Sequence, residues 1–149
     1  MLDRIKKMFS GTQSPSQMPK DDQKLAAAAL LVEAAMMDGT FDDDERTVVL
    51  NLLEERFALK GADADALLLE AEAQVENSNE LYTLSRTIKN SFDNEQRIEL
   101  IEMLWQVAYA DGVVHEYESN LVRRLSGLLY VSDRDSGEAR KRVMEKIGV

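Results

Sequence analysis

Apolar residues recur along this chain at spacings of three and four. Between Ala26 and Val32 they run unbroken, four alanines followed by Leu30, Leu31 and Val32, a stretch that suits a helix buried on nearly every side. The pattern predicts a first helix that starts from Asp21 or Asp22 as N-cap and reaches Met37. A second helix begins after Asp42 and buries Val49, Leu52, Leu53 and Phe57, and Gly61 then stops it or marks the turn. Asp63 caps a third, whose stripe is Leu67, Leu68, Ala71 and Val75 and which ends in the polar run from Glu76 to Asn79. Leu81, Leu84 and Ile88 mark a fourth. Asp93 with Gln96 three residues on is a capping box that opens a fifth, running through Ile98, Ile101, Leu104, Trp105 and Ala108 to Ala110. A sixth carries Leu121, Val122, Leu125, Leu128 and Leu129, and Ser132 caps a last one with Ala139, Val143 and Ile147. No segment alternates with period two, so the expected fold is all-α, of about seven helices.

One stretch occurs twice. Met36-Met37-Asp38-Gly39-Thr40-Phe41-Asp42-Asp43-Asp44-Glu45 returns as Tyr109-Ala110-Asp111-Gly112-Val113-Val114-His115-Glu116-Tyr117-Glu118, 73 residues later. The register extends into the flanks, where Ala35 matches Ala108, Leu52 matches Leu125 and Phe57 matches Tyr130. Each copy lies between two apolar helices. The expected architecture is therefore two pseudo-symmetric helix, acidic turn, helix units packed in one bundle, with the first and fifth helices paired and buried.

Capping explains much of the repeated turn. Gly39 and Gly112 stand where a helix ends in a left-handed residue, Phe41 and Val114 can tuck the loop onto the core, and Asp42 with Glu45 forms a second capping box. His115 holds the cap position of the second copy, with Glu118 still three residues on. Asp38 and Asp111 are left over, because an acid at a helix C-terminus opposes the helix dipole. Two compensations are open. Loop amide hydrogens can turn toward the carboxylate, or a cation can be shared between Asp38, Asp42 and Glu45 in the first turn and between Asp111 and Glu118 in the second. The spacing from Asp38 to Glu45 is seven residues, so the twelve-residue EF-hand loop is not matched. Oxygen donors suit calcium or magnesium, and the first turn, richer in carboxylates, is expected to bind more tightly than the second.

Composition narrows the functional classes. The 149 residues suit one domain, 44% hydrophobic and 31% charged, with only two prolines and seven glycines. Cysteine is absent, which excludes disulfides, thiolate metal sites and thiol redox chemistry. The single histidine lies in an acidic turn, no glycine-rich phosphate loop is present, and no serine has an evident histidine partner, so the chain is expected not to be an enzyme. Trp105, Met36, Met37 and Met103 sit at apolar helical positions and are expected in the core. The net charge is −10, and residues 1–10 carry +2, which leaves −12 on the rest. Such a field repels phosphate backbones and favours cations and basic proteins, so a nucleic-acid partner is not expected. No apolar run reaches transmembrane length and no secretory leader is evident, so the expected location is cytoplasmic.

Residues 1–20 read separately from the helical domain expected over 21–149. Leu2, Ile5, Met8 and Phe9 share one face of a short helix, with Arg4, Lys6 and Lys7 elsewhere on it, and Gly11 to Lys20 reads as a flexible linker. Such a segment can fold back on the domain, meet a protein partner, or make a weak peripheral membrane contact.

The two acidic copies at 35–45 and 108–118 resemble the paired signatures of the tellurite-resistance TerB family, over roughly Asp22 to Val149. The resemblance implies an all-helical pseudo-symmetric domain, acting in metal-stress response through metal binding or partner assembly. Carried over residue by residue, the signature falls on Asp38, Gly39 and Glu45 and on Asp111, Gly112 and Glu118, while His115 departs from the small polar or acidic residue usual there. Two functions remain open at this point. One is a non-catalytic domain that binds a divalent cation at its paired turns in metal or tellurite stress. The other is a helical adaptor for protein partners, peripheral to a membrane, whose acidic turns are purely structural.

Overall fold

The computed structural model describes residues 20–36, 42–78, 81–110, 114 and 116–148. Among them lie seven helices and no strand: α1 (Lys20–Met36), α2 (Asp43–Arg56), α3 (Gly61–Ser78), α4 (Leu81–Ser91), α5 (Asn94–Ala108), α6 (Glu116–Leu128) and α7 (Asp133–Ile147). The all-α expectation holds, with the expected seven.

The alanine-rich run makes α1 the centre. Residues Leu25 to Val32 are all buried, and α1 packs against α2, α3, α4 and α5 at once. Short side chains at Ala26, Ala28 and Ala29 let several neighbours approach, while Leu30, Leu31 and Val32 fill the spaces between them. α5 plays the same part in the second half, burying Leu100, Ile101, Met103, Leu104 and Trp105 and packing on α1, α2, α6 and α7. α4 joins the halves by touching α1 and α6.

The units α1–α2–α3 and α5–α6–α7 follow the repeat. Gln23 and Gln96, equivalent at an offset of 73, meet where α1 crosses α5, Gln96 Nε2 donating to Gln23 Oε1 at 3.5 Å. The register then slips by one. Leu59 N–H closes onto Glu54 O at 3.1 Å and Val131 N–H onto Ser126 O at 2.8 Å, so the two helix ends match at an offset of 72. The left-handed residues of these ends are Ala58 (φ 53°) and Tyr130 (φ 57°). Phe57, matched to Tyr130 by sequence, is instead the C-cap one position earlier, because α2 has 14 residues and α6 has 13. From there α3 and α7 run in the shorter register.

Three N-caps fall where the sequence predicts, the box expected of Asp42 and Glu45 being seen in its Asp42 half. Asp42 accepts from Glu45 N–H at 2.8 Å, Asp93 and Gln96 form the reciprocal box at 2.8 and 2.9 Å, and Ser132 accepts from Asp135 N–H at 3.1 Å. Other boundaries differ. Asp21 and Asp22 lie inside the first turn of α1, not at its cap. Gly61 opens α3 instead of stopping α2, so Asp63 falls in the first turn, where its charge suits the helix dipole. Trp105 and Met103 are core, the indole N–H donating to Ser136 O at 3.1 Å, whereas Met36 is exposed; Met37 lies outside the described residues.

Candidate functional site

Of the carboxylates singled out by sequence, Asp42, Glu45 and Glu118 are described; Asp38, Asp111 and the glycines Gly39 and Gly112 lie outside the described residues, as do His115 and Leu2, Ile5, Met8 and Phe9. Asp42 is exposed at the start of α2, where one of its oxygens is engaged in the cap. Glu45 and Glu118, each in the first turn of its helix, are half-buried.

These two glutamates come together. Both line one cavity of about 30 Å³ between the halves, closed by Ala34 and Ala35 of α1, Val107 and Ala108 of α5, and Val122 and Leu125 of α6. Three pairs in its lining are related by the repeat, Ala34 with Val107, Ala35 with Ala108 and Glu45 with Glu118, while Leu104, Leu121, Val122 and Leu125 come from the second half alone, so the cavity leans toward that half. Its volume suits one or two waters or one ion, and apart from the two acids its walls are apolar, which strengthens any charge interaction inside. Among the described residues no group of three acidic or histidine side chains could hold a metal by itself.

Cationic side chains flank the two turns unequally. Arg46, next to Glu45, forms an ion pair with Glu72 of α3 at 2.8 Å. At the matching place Ser119 accepts from Arg140 of α7 at 3.3 Å. Arg140 also donates to the Tyr109 hydroxyl at 3.0 Å and stacks over Trp105, 4.7 Å from the ring centre. A guanidinium thus bridges Tyr109 and Ser119, the two sides of the second turn, and opposes a further cation there; the guanidinium beside the first turn is already paired. Periodicity gives no hint of Arg140, which reaches the turn only because α7 packs along α5. Farther along α5, burial pushes the Glu102 carboxyl up, but hydrogen bonds from Arg142 and Arg56 outweigh it and hold the group below the ordinary glutamate range. Glu102 is a structural tie between α2, α5 and α7.

Residues 24–141 match the family model described as "Tellurite resistance protein TerB". The chain belongs to the TerB family. No curated protein and no solved structure matches it. The TerB match takes in both acidic turns and all of the cavity lining, and it excludes residues 1–20. Among the described residues, no helix of this TerB domain is long and apolar enough to cross a membrane.

Proposed function

We propose that this TerB domain is a non-catalytic module of the metal or tellurite stress response that binds one divalent cation, calcium or magnesium, between its paired acidic turns. Glu45 and Glu118 would hold it from opposite halves, with Asp38, Asp111 and the free oxygen of Asp42 as the further donors. The observation that supports this reading is the common cavity: two acids 73 residues apart in sequence line one small space of apolar walls. Hard cations take six or more oxygen ligands, which two turns can supply jointly and one glutamate pair cannot. The bound ion would act as a strut, neutralising carboxylates and fixing the halves against each other.

Calcium should then raise the melting temperature. At a hundredfold excess over Kd the gain is about 2.7 kcal/mol, or roughly 5–10 °C for a domain of this size. Glu45→Gln and Glu118→Gln should each remove most of the rise. Screening of the −10 net charge would also stabilise, so the comparison needs two exposed acids neutralised elsewhere. Glu70 and Glu72 are unsuitable for that purpose, since Glu70 has a buried oxygen and Glu72 pairs with Arg46. Glu54→Gln with Glu145→Gln, both exposed, serves instead. If that control loses the calcium response as fully as Glu45→Gln does, the effect is screening and the site does not exist.

A further inference from the structure

α3 has an outer face that its counterpart in the repeat does not share. Ala62, Ala66, Leu69 and Ala73, spaced by four, three and four, form one exposed apolar stripe, with Leu69 60% exposed. At the structural offset of 72 the matching residues of α7 are Arg134, Glu138, Lys141 and Glu145, all exposed and all charged. The two helices occupy equivalent places in the bundle. One face is therefore built for water and the other is not.

The stripe continues into a groove of about 190 Å³ between α1, Leu59 and α3, which Ala66 also lines. Leu25, Leu59 and Leu67 form its floor, and Asp21, Asp63 and Glu70 its rim against a single cation, Lys24. Glu70 Oε1 is buried there without a hydrogen-bond partner, a condition that a donor supplied by the occupant would relieve. An occupant with an apolar face and cationic flanks would satisfy all of these features.

This chain carries such a segment ahead of α1. Leu2, Ile5, Met8 and Phe9 recur at helical spacing, and Arg4, Lys6 and Lys7 give residues 1–10 a charge of +2. Ten residues join Phe9 to Lys20, enough to span about 33 Å when extended, and Asp21 and Lys24 already line the groove. We propose that residues 2–9 dock as an amphipathic helix on the outer face of α3, their apolar side chains on Leu69 and the alanine stripe and their basic ones against Asp21, Asp63 and Glu70. Docking covers both apolar faces at once, so whatever displaces the segment exposes both.

The cysteine-free chain allows a direct test on the full-length protein. A spin label on Ser10→Cys should broaden the amide resonances of Ala62, Ala66, Leu69 and Ala73 and spare those of Arg134, Glu138 and Lys141. The broadening should be independent of protein concentration. It should be lost in Ile5→Asp/Phe9→Asp and in Leu69→Lys, whose core resonances, those of Leu30 and Ile101 among them, serve to check folding. Unbroadened α3 amides, or broadening that survives Ile5→Asp/Phe9→Asp, would overturn the proposal. So would broadening that fades on dilution, which would assign the face to a second copy. Unbroadened α3 amides together with sedimentation on phosphatidylserine vesicles would make the segment a membrane contact instead.

Discussion

Glu33 of α1 and Gln106 of α5 hold the same place in the repeat and meet different fates. Gln106 accepts from Arg56 at 3.0 Å, whereas Glu33 is buried and its carboxyl is raised above the ordinary value by that burial. A carboxyl with a raised folded-state pKa contributes its full share of stability below the unfolded pKa, and the share is lost as pH rises through the folded value. Glu33→Gln, which copies the residue used in the second half, should therefore melt higher than the parent at pH 7. The difference should shrink as pH falls and vanish well below the ordinary glutamate value of 4.5, where Glu33 is protonated in both states. Glu102 has the opposite sign, since its folded pKa is depressed. Glu102→Gln should cost about 1–3 kcal/mol at neutral pH by weakening bonds to Arg56 and Arg142, with the deficit shrinking as acid protonates the parent. Paired thermal melts at pH 7 and pH 4 read both effects. A stabilised Glu102→Gln, or a Glu33→Gln gain undiminished in acid, would contradict these assignments.

The helix ends show how much of each element was legible. Asp42, Asp93 and Ser132 are readable caps because a short oxygen side chain three residues before a donor is a local arrangement, independent of the rest of the fold. Gly61 follows the turn and does not stop α2, because α2 ends without glycine: Ala58 takes the left-handed conformation itself, at φ 53°, and leaves Gly61 to begin α3. A left-handed Cβ costs about 1–2 kcal/mol, partly offset by the greater chain entropy that glycine loses on folding. Ala58→Gly should thus stabilise by about 0.5–1 kcal/mol in a urea titration with unchanged m. Tyr130→Gly should gain less, because Tyr130 also lies under Lys89, 4.4 Å from the ring centre. Equal gains at both positions would mean that the ring contact adds nothing.

For the whole molecule, the all-helical class and the two-unit plan were present in the hydrophobic spacing and the repeat, because burial on every side of α1 demands an unbroken apolar run and burial of one broad face of α5 demands apolar residues at helical spacing. The meeting of Glu45 and Glu118 was not. Each looks like the third residue of an ordinary helix start, and only the crossing of α1 with α5 brings the two starts to one cavity. The roles of Glu70 and Glu72 were hidden for the same reason: spacing puts both on the polar side of α3, while tertiary packing buries an oxygen of one and pairs the other with Arg46. The paired turns suggested two cation sites of unequal strength. The proposed site is instead a single position shared by Glu45 and Glu118, the two acids that line one cavity.

The number of ions bound per chain tests that claim most directly. Equilibrium dialysis against calcium, with metal and protein counted in the same sample, should give one ion per chain for the parent protein and close to none for Glu45→Gln and for Glu118→Gln alone. Two ions lost one at a time would restore separate turns as the sites. No bound ion, with magnesium equally inert, or one ion unaffected by either substitution, would contradict the account and leave the acidic turns as caps.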